Sequence, residues 1–406
     1  MATHHLASWA STLKYSDISP EVVAAATRSF YNWAGCAIGG SNHPATTIAY
    51  HALKPFFGAP SASLLGFQGG VRIDAQHAAL LNAISSHVHD YDDTHLDTII
   101  HPTGPVASAV LAIAEWKGGI SGKDFLLALI AGIEAECKVG LAVWPEHYDV
   151  GWHITSTTGS IGAAVGVSKL LSMSCAQTAH AVGIAATQVV GLREMFGSHT
   201  KSFHPGRAAQ NGLLAAILAQ NGYESSQEAL ESKRGWANVV SLTKDDFQYT
   251  SMTEIDRVDL TVHPLVLELT GKSKPRDGLE AKFSVYHGAA TALLFGKGTP
   301  AQFEDAVVQD PHVVFIRDKV HAVVSESLRA DEAKITITLQ DGRTWEKHVQ
   351  HAIGSKEVAL TDVQLEEKFK NQCESILKEK LDRVSKALWD VEHAADIRDV
   401  TKLLAL

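Results

Sequence analysis

The chain has 406 residues, 45% hydrophobic and 20% charged, the balance of a folded globular protein long enough for two domains. Lys and Arg total 35 against 45 Asp and Glu, and the net charge of −10 argues against a nucleic-acid partner, which would need a basic face. A locally cationic pocket for a small anion is compatible with that total.

Cys36, Cys137, Cys175 and Cys373 lie far apart with no CxxC pair, so reduced thiols are expected rather than a disulfide framework or a zinc site. Residues 1–20 have no charged region followed by an apolar core, and they carry Asp17 but no Arg. The final Leu404-Ala405-Leu406 is not a peroxisomal tripeptide. No apolar run is long and pure enough to span a bilayer. A cytoplasmic protein with no membrane partner is expected.

In chain order, Ser19-Pro20-Glu21 predicts a helix start: a capping hydroxyl, proline at the first helical position and an acid that suits the helix dipole. Its apolar stripe runs through Val22, Val23, Ala26, Phe30 and Trp33. Helical periodicity continues over 73–89, 106–116, 123–141, 156–171, 175–192 and 206–220, in segments dense in Ala and Gly. Small residues let helix axes approach closely. Near Trp236 the texture changes. Residues 258–262 alternate with period two, and 334–339 and 344–349 flank Asp341-Gly342 as a hairpin. Residues 283–295 and 301–308 read as helices, and from Leu365 to Leu404 helix returns, rich in Lys and Glu. The expected class is mainly α. A large all-α domain over 1–235, completed by 362–406, joins a smaller α+β lid domain over 236–361.

Four stretches concentrate chemistry. The first is His87-Val-His89-Asp90-Tyr-Asp92-Asp93-Thr94-His95, continuing to Asp97, His101-Pro and Gly104. So many ionisable groups between apolar flanks are costly to place unless they line a polar cavity; the plainer alternative is a solvated loop. Asp92-Asp93-xxx-Asp97 also resembles the acidic magnesium motif of terpene synthases, but no second metal-binding stretch accompanies it. His87-x-His89-Asp90 has metal-ligand residue types, yet it follows a helix where the metallohydrolase version follows a strand.

The second stretch is Gly151-Trp152-His153 before a Gly- and Ala-rich helix, whose exposed N–H groups favour an anion. The third puts Lys201, His204 and Arg207 within seven residues: either a solvated basic turn or a carboxylate clamp. The fourth is Tyr286-His287 at a helix start, a proton-donor pair or ordinary packing.

Taken together and in this order, Asp-Tyr-Asp-Asp-Thr-His followed by His-Pro, Gly-Trp-His and Thr-Lys-x-x-His-x-Gly-x-Ala-Ala resemble the MmgE/PrpD family over nearly the whole chain. That family holds 2-methylcitrate dehydratase, cis-aconitate decarboxylase and iminodisuccinate epimerase. The resemblance implies a large helical domain plus an α+β lid, a homodimer, and a site between the domains without metal or organic cofactor. It places active-site positions on Asp90, Thr94, His101, His153, Lys201 and Tyr286. The expected substrate is a small polycarboxylate of the citrate or aconitate type. In that reading His101, His153, Lys201 and Tyr286 carry the chemistry, while Asp90, Thr94, Lys201, His204 and Arg207 bind. Between Tyr249 and Val258 the chain departs from the family, whose members carry a longer segment with a Lys and a Pro-Cys stretch leading to a His. Three function classes follow: a lyase or epimerase of this family, an inactive relative kept as a binding subunit, and, distantly, a magnesium-dependent terpene synthase.

Overall fold

The computed structural model describes residues 2–241, 257–295, 298–338, 344–352, 354–355 and 357–404. It is mainly helical with a small mixed sheet in its C-terminal region. Two compact units emerge: Met1–Met195 with His199–Lys244 and Lys368–Leu406, and Phe196–Ser198 with Asp245–Glu367.

In the first unit α1 (Ala2–Thr12), α2 (Pro20–Gly39) and α3 (Pro44–Leu53) precede a short hairpin of β1 (Ala62–Ser63) and β2 (Arg72–Ile73). Then follow α4 (Ala75–His87), α5 (Thr103–Lys117), α6 (Gly122–Leu141), α7 (Glu146–Asp149), α8 (Ile154–Leu170), α9 (Cys175–Ala186), α10 (His199–Gln220) and α11 (Trp236–Val240). Helix α8 lies at the centre, packed by α5, α6, α9 and α10, and nearly every residue on it is buried. A helix enclosed on all sides needs no polar face. Four of its hydroxyls, on Ser156, Thr157, Thr158 and Ser160, bond back to the preceding turn, as Thr158 does to the Ile154 carbonyl at 2.6 Å. Close approach explains the small residues: a Cβ on Gly212 of α10 would lie 2.5 Å from the Ala163 Cβ and 2.6 Å from the Ser160 carbonyl. Alanine's better helix propensity, about 1 kcal/mol, cannot offset such overlap.

The unit closes with α17 (Asp362–Leu377), which starts in the second unit's range, α18 (Leu381–Trp389) and α19 (Ile397–Leu404). Glu115 of α5 ties the ends together: buried, it accepts from the Ser63 amide and hydroxyl, Arg72 and Thr401 of α19.

In the second unit β3 (Arg257–Val262), β4 (Val320–Val324), β5 (Ala333–Thr338) and β6 (Thr344–Val349) form one sheet in the order β4-β3-β5-β6. Strands β3 and β4 are parallel and the other pairs antiparallel. The alternation in β3 buries Val258, Leu260 and Val262 on one face, against Tyr286, Val320 and Ala322. Among the described residues, five helices accompany the sheet: α12 (Pro264–Thr270), α13 (Gly278–Ala281), α14 (Val285–Phe295), α15 (Asp305–Val308) and α16 (Pro311–Arg317).

Several expectations shift. Helix α9 stops at Ala186, six residues early, where the Gln188 side-chain Nε2 donates to the Ile184 carbonyl and the chain turns away. Helix α10 begins at His199, so the basic segment read as a turn is its first two turns; Pro205 lies inside the helix. The C-terminal helical stretch is three helices. The expected turn at Asp341-Gly342 and most of the shortened segment before Val258 lie outside the described residues.

Candidate active site

Three helix N-termini meet in the first unit. His101 and Pro102 lead into α5, His153 caps α8, and Lys201 lies in the first turn of α10. Each helix runs 15 residues or more, so each brings the positive end of its dipole to this place. Opposite them α4 ends at His87, and the chain reverses through Asp90 in a left-handed conformation, φ 51°. Aspartate tolerates that region better than most residues. The turn directs the carboxylates of Asp90 and Asp92 toward the helix ends. The bridge between His95 and Ile100 closes the loop behind it.

A dense polar network results. The Lys201 ammonium donates to Asp90 Oδ1. The His101 Nε2 lies 3.6 Å from the same oxygen. The other ring nitrogen, Nδ1, lies 3.1 Å from the Asp93 carbonyl, which can only accept, so it carries the proton and Nε2 the lone pair. The His101 amide donates to Thr155 Oγ1 of α8 at 3.1 Å. Asp92 bridges two rings, with Oδ2 2.8 Å from His87 Nδ1 and Oδ1 3.4 Å from His101 Nδ1. His87 stacks on His153 and meets His101 edge-on, at centroid distances of 5.9 and 4.7 Å. His153 Nδ1 is 3.0 Å from His204 Nδ1, so one ring donates to the other. Gly191 permits that pair: its φ is 103°, and a Cβ there would meet Ser156 Oγ at 2.2 Å and His204 at 3.2 Å. Among the described residues of this network, the buried atoms His87 Nε2, Asp92 Oδ1 and Asp93 Oδ1 have no hydrogen-bond partner.

Burial and charge set the ionisation. Burial opposes ionisation of Asp90, but Lys201, His101 and His87 outweigh it and hold the carboxyl well below its usual range. Asp92 is also lowered, by His87 and His101 against burial. Asp93 goes the other way, to about 6, because burial dominates and Thr103 offsets little. Glu136 of α6, fully buried with neither oxygen bonded, is pushed far up by burial and the Asp93 charge. Burial brings His101 and His204 down to about 4 and moves His153 well below its ordinary value; neighbouring cations, Lys201 among them, add to each. At neutral pH the site therefore holds the carboxylates of Asp90, Asp92 and Asp93 beside neutral rings of His101, His153 and His204.

Linkage gives a testable sign. His101 and His204 titrate lower in the fold than in the unfolded chain, at about 4 rather than about 6.5. Their contribution is fully present above about pH 6.5 and is lost as pH falls through 4, up to about 3 kcal/mol each. Asp93 opposes this: raised to about 6, it stabilises below its unfolded value and loses that effect as pH rises through 6. Urea midpoints are expected to fall from pH 6.5 to 4.5, less steeply in His204→Gln. Parallel profiles would contradict the assignment.

Of the expected site residues, Asp90, His101, His153, Lys201 and His204 come together. Thr94 is exposed, with Oγ1 3.4 Å from His101 Nδ1. Arg207 does not join them. It is exposed and donates to Gln210 Oε1 at 2.6 Å, because six residues past Lys201 the helix has turned it about 120° off that face. Tyr286 belongs to the second unit, where it packs in the apolar core against the sheet. His87, Asp92 and Thr155 also stand in the network; the density of the first motif points to His87 and Asp92, and only the fold brings Thr155 of the second stretch to His101.

His87, Asp90, Asp92 and His101 offer ligand-type atoms within 4.8 Å of one another and could hold a divalent metal ion. In the arrangement present, the Lys201 ammonium already neutralises Asp90, and three helix N-termini favour an anion over a cation. Asp331, His351 and Glu357 form a second, more exposed group of this kind in the second unit. The acidic run does not make one magnesium-binding face: Asp92 pairs with His87, Asp93 accepts from Thr103, and Asp97 is exposed. Two cavities of the first unit, of about 610 and 750 Å³, lie elsewhere; Trp236 lines both.

A two-unit chain whose helical part gathers imidazoles, carboxylates and a lysine at helix ends defines an acid–base class of site. A family model of the MmgE/PrpD N-terminal domain matches residues 4–249, and one of the MmgE/PrpD C-terminal domain matches residues 237–391, so the chain belongs to the MmgE/PrpD family. It is 26% identical over 470 residues to the cis-aconitate decarboxylase-like protein oryM of Aspergillus oryzae, covering 99% of this chain and 97% of that protein. Human cis-aconitate decarboxylase is 25% identical over 447 residues, covering 97% and 92%. The Aspergillus terreus cis-aconitate decarboxylase is 31% identical over 239 residues, 57% of this chain and 48% of that enzyme. Since this chain has only 406 residues, the 470-residue alignment sets more than sixty positions of the first relative against gaps.

Proposed function

We propose that this chain is a cofactor-free lyase acting on a small polycarboxylate, with cis-aconitate or a citrate-type acid as substrate. The observation that supports it is the meeting of His101, His153 and Lys201 at three helix N-termini beside ionised Asp90. Helix N-termini and a lysine favour carboxylates, while neutral imidazoles can accept a proton.

In this reading Lys201 and the amide end of α8 hold substrate carboxylates. His101, with Nδ1 tied to the Asp93 carbonyl, offers Nε2 for proton transfer, and His153 is oriented by His204. Asp90 positions the ammonium, and Thr94 steadies His101. A bound polyacid brings negative charge against these rings and raises their proton affinity from its depressed level, so that they can both take and return a proton. In a decarboxylation, the C–C bond to the leaving carboxylate breaks, carbon dioxide departs, and the electron pair left on carbon takes a proton from an imidazolium. In a dehydration, an imidazole removes the proton beside a carboxylate while hydroxide leaves with a second proton as water. Both build negative charge on carbon next to a carboxylate, which fixed cationic groups stabilise.

A second reading is a relative that binds the acid without turning it over. The gaps against the full-length relatives favour it, as does the departure between Tyr249 and Val258, where the family resemblance implies a Lys and a Pro-Cys stretch that this chain lacks. Proton NMR of the purified protein with cis-aconitate, citrate or 2-methylcitrate, each without added metal, separates the outcomes. Loss of carbon dioxide, loss of water or exchange at a C–H bond identifies the reaction. Saturable binding with unchanged spectra supports the second reading, and neither binding nor turnover rejects both.

A further inference from the structure

Helix α17 is held against α2 by tight contacts. The Phe369 ring, 2% exposed, packs on Tyr31 at a centroid distance of 4.8 Å, and a Cβ on Gly35 would come within 2.7 Å of it. Cys373 Sγ donates to the Gly35 carbonyl at 3.4 Å. Lys368, one residue before Phe369, therefore projects from a fixed base. Its ammonium donates to the Tyr91 carbonyl and lies 4.0 Å from the centroid of the Tyr91 ring. Cys36 Sγ of α2 donates to the same carbonyl at 3.6 Å. Tyr91 sits between Asp90 and Asp92, just after the left-handed turn that brings both carboxylates to the imidazoles and Lys201. A residue in that conformation persists when its surroundings hold it there.

We propose that Lys368 is a positioning residue for this site: by holding the Tyr91 carbonyl and ring outward, it presents Asp90 and Asp92 inward to Lys201, His101 and His87. The inference rests on the lyase reading only for its kinetic consequence, because the loop geometry is a separate observable. A displacement of 1 Å in such a group can cost about 10²-fold in rate. The ammonium supplies both a charge-assisted hydrogen bond and a cation–π contact. Arginine can restore both in part; methionine retains only the packing.

The test compares Lys368→Met, Lys368→Gln and Lys368→Arg with Lys370→Met, an exposed control on the same helix. Hydrogen–deuterium exchange is followed in a peptide spanning residues 88–96, alongside steady-state kinetics. Methionine and glutamine are expected to speed exchange in that peptide about tenfold while α6 and α8 stay protected. They are expected to lower kcat by about 10- to 100-fold with KM within about threefold, and arginine recovers most of the loss. Exchange and kinetics indistinguishable from Lys370→Met, or a loss carried by KM, overturn the proposal. If the wild-type protein turns over none of the acids, the lyase reading fails and exchange of the loop alone decides this inference.

Discussion

Lys201→Met is expected to lower turnover of the polycarboxylate by about 10²- to 10³-fold, the usual loss when one preorganised donor to developing charge is removed. The same change is expected to lower stability at pH 8 by about 3 kcal/mol, because it strands a largely enclosed carboxylate. Asp90 now has the ammonium on one oxygen, with His101 3.6 Å away. Without Lys201 the burial that opposes its ionisation loses its largest counterweight, and the carboxyl titrates higher. The stability loss should therefore shrink at pH 5, where protonation relieves it. Lys201→Met combined with Asp90→Asn removes both charges and should recover stability without recovering turnover. Chemical denaturation of the wild type and the two variants at both pH values, with kcat for each, checks this. A single variant that keeps both stability and activity would mean that the ion pair is a bystander.

His101→Ala and His153→Ala are each expected to lose about 10²- to 10⁴-fold in kcat, the range of a general acid or base, with the fold intact. The two rings hold different places. His101 is fixed by the Asp93 carbonyl and the Thr155 hydroxyl, whereas His153 shares a proton with His204. If they serve successive proton transfers, the double variant should be little worse than the poorer single one, since groups acting as a unit are not additive. Multiplying losses would indicate independent roles. Unchanged turnover in both single variants would remove the assignment.

Much of the fold was legible because the helices of the first unit carry clear periodicity and small-residue faces. Strand β3 was readable for the same reason, its alternation being uninterrupted. Helix α10 was misjudged at its start because Pro205 reads as a breaker, yet its missing N–H costs only one bond, to the Lys201 carbonyl. Strand β4 and helices α1, α12 and α16 were not foreseen; β4, Val-His-Ala-Val-Val, owes its place to pairing with β3.

In the site, residue types and spacing singled out Asp90, His101, His153, Lys201 and His204. Arg207 was grouped with them by closeness in sequence, which on a helix differs from sharing a face. Tyr286 entered by motif, and its ring proves to be core in its own unit. Lys368 could not be read at all: it lies 277 residues from Tyr91 in the chain, and only the packing of α17 on α2 brings it there.

The most direct measurement is a crystal structure with propane-1,2,3-tricarboxylate, a saturated triacid that cannot lose water or take part in allylic decarboxylation. A carboxylate within hydrogen-bond distance of Lys201 Nζ, with a second near the first turn of α8 and His101 or His153 facing the carbon between them, is the predicted result. The triacid bound away from these residues at saturating concentration, with the Asp90–Lys201 cluster undisturbed, would contradict the account.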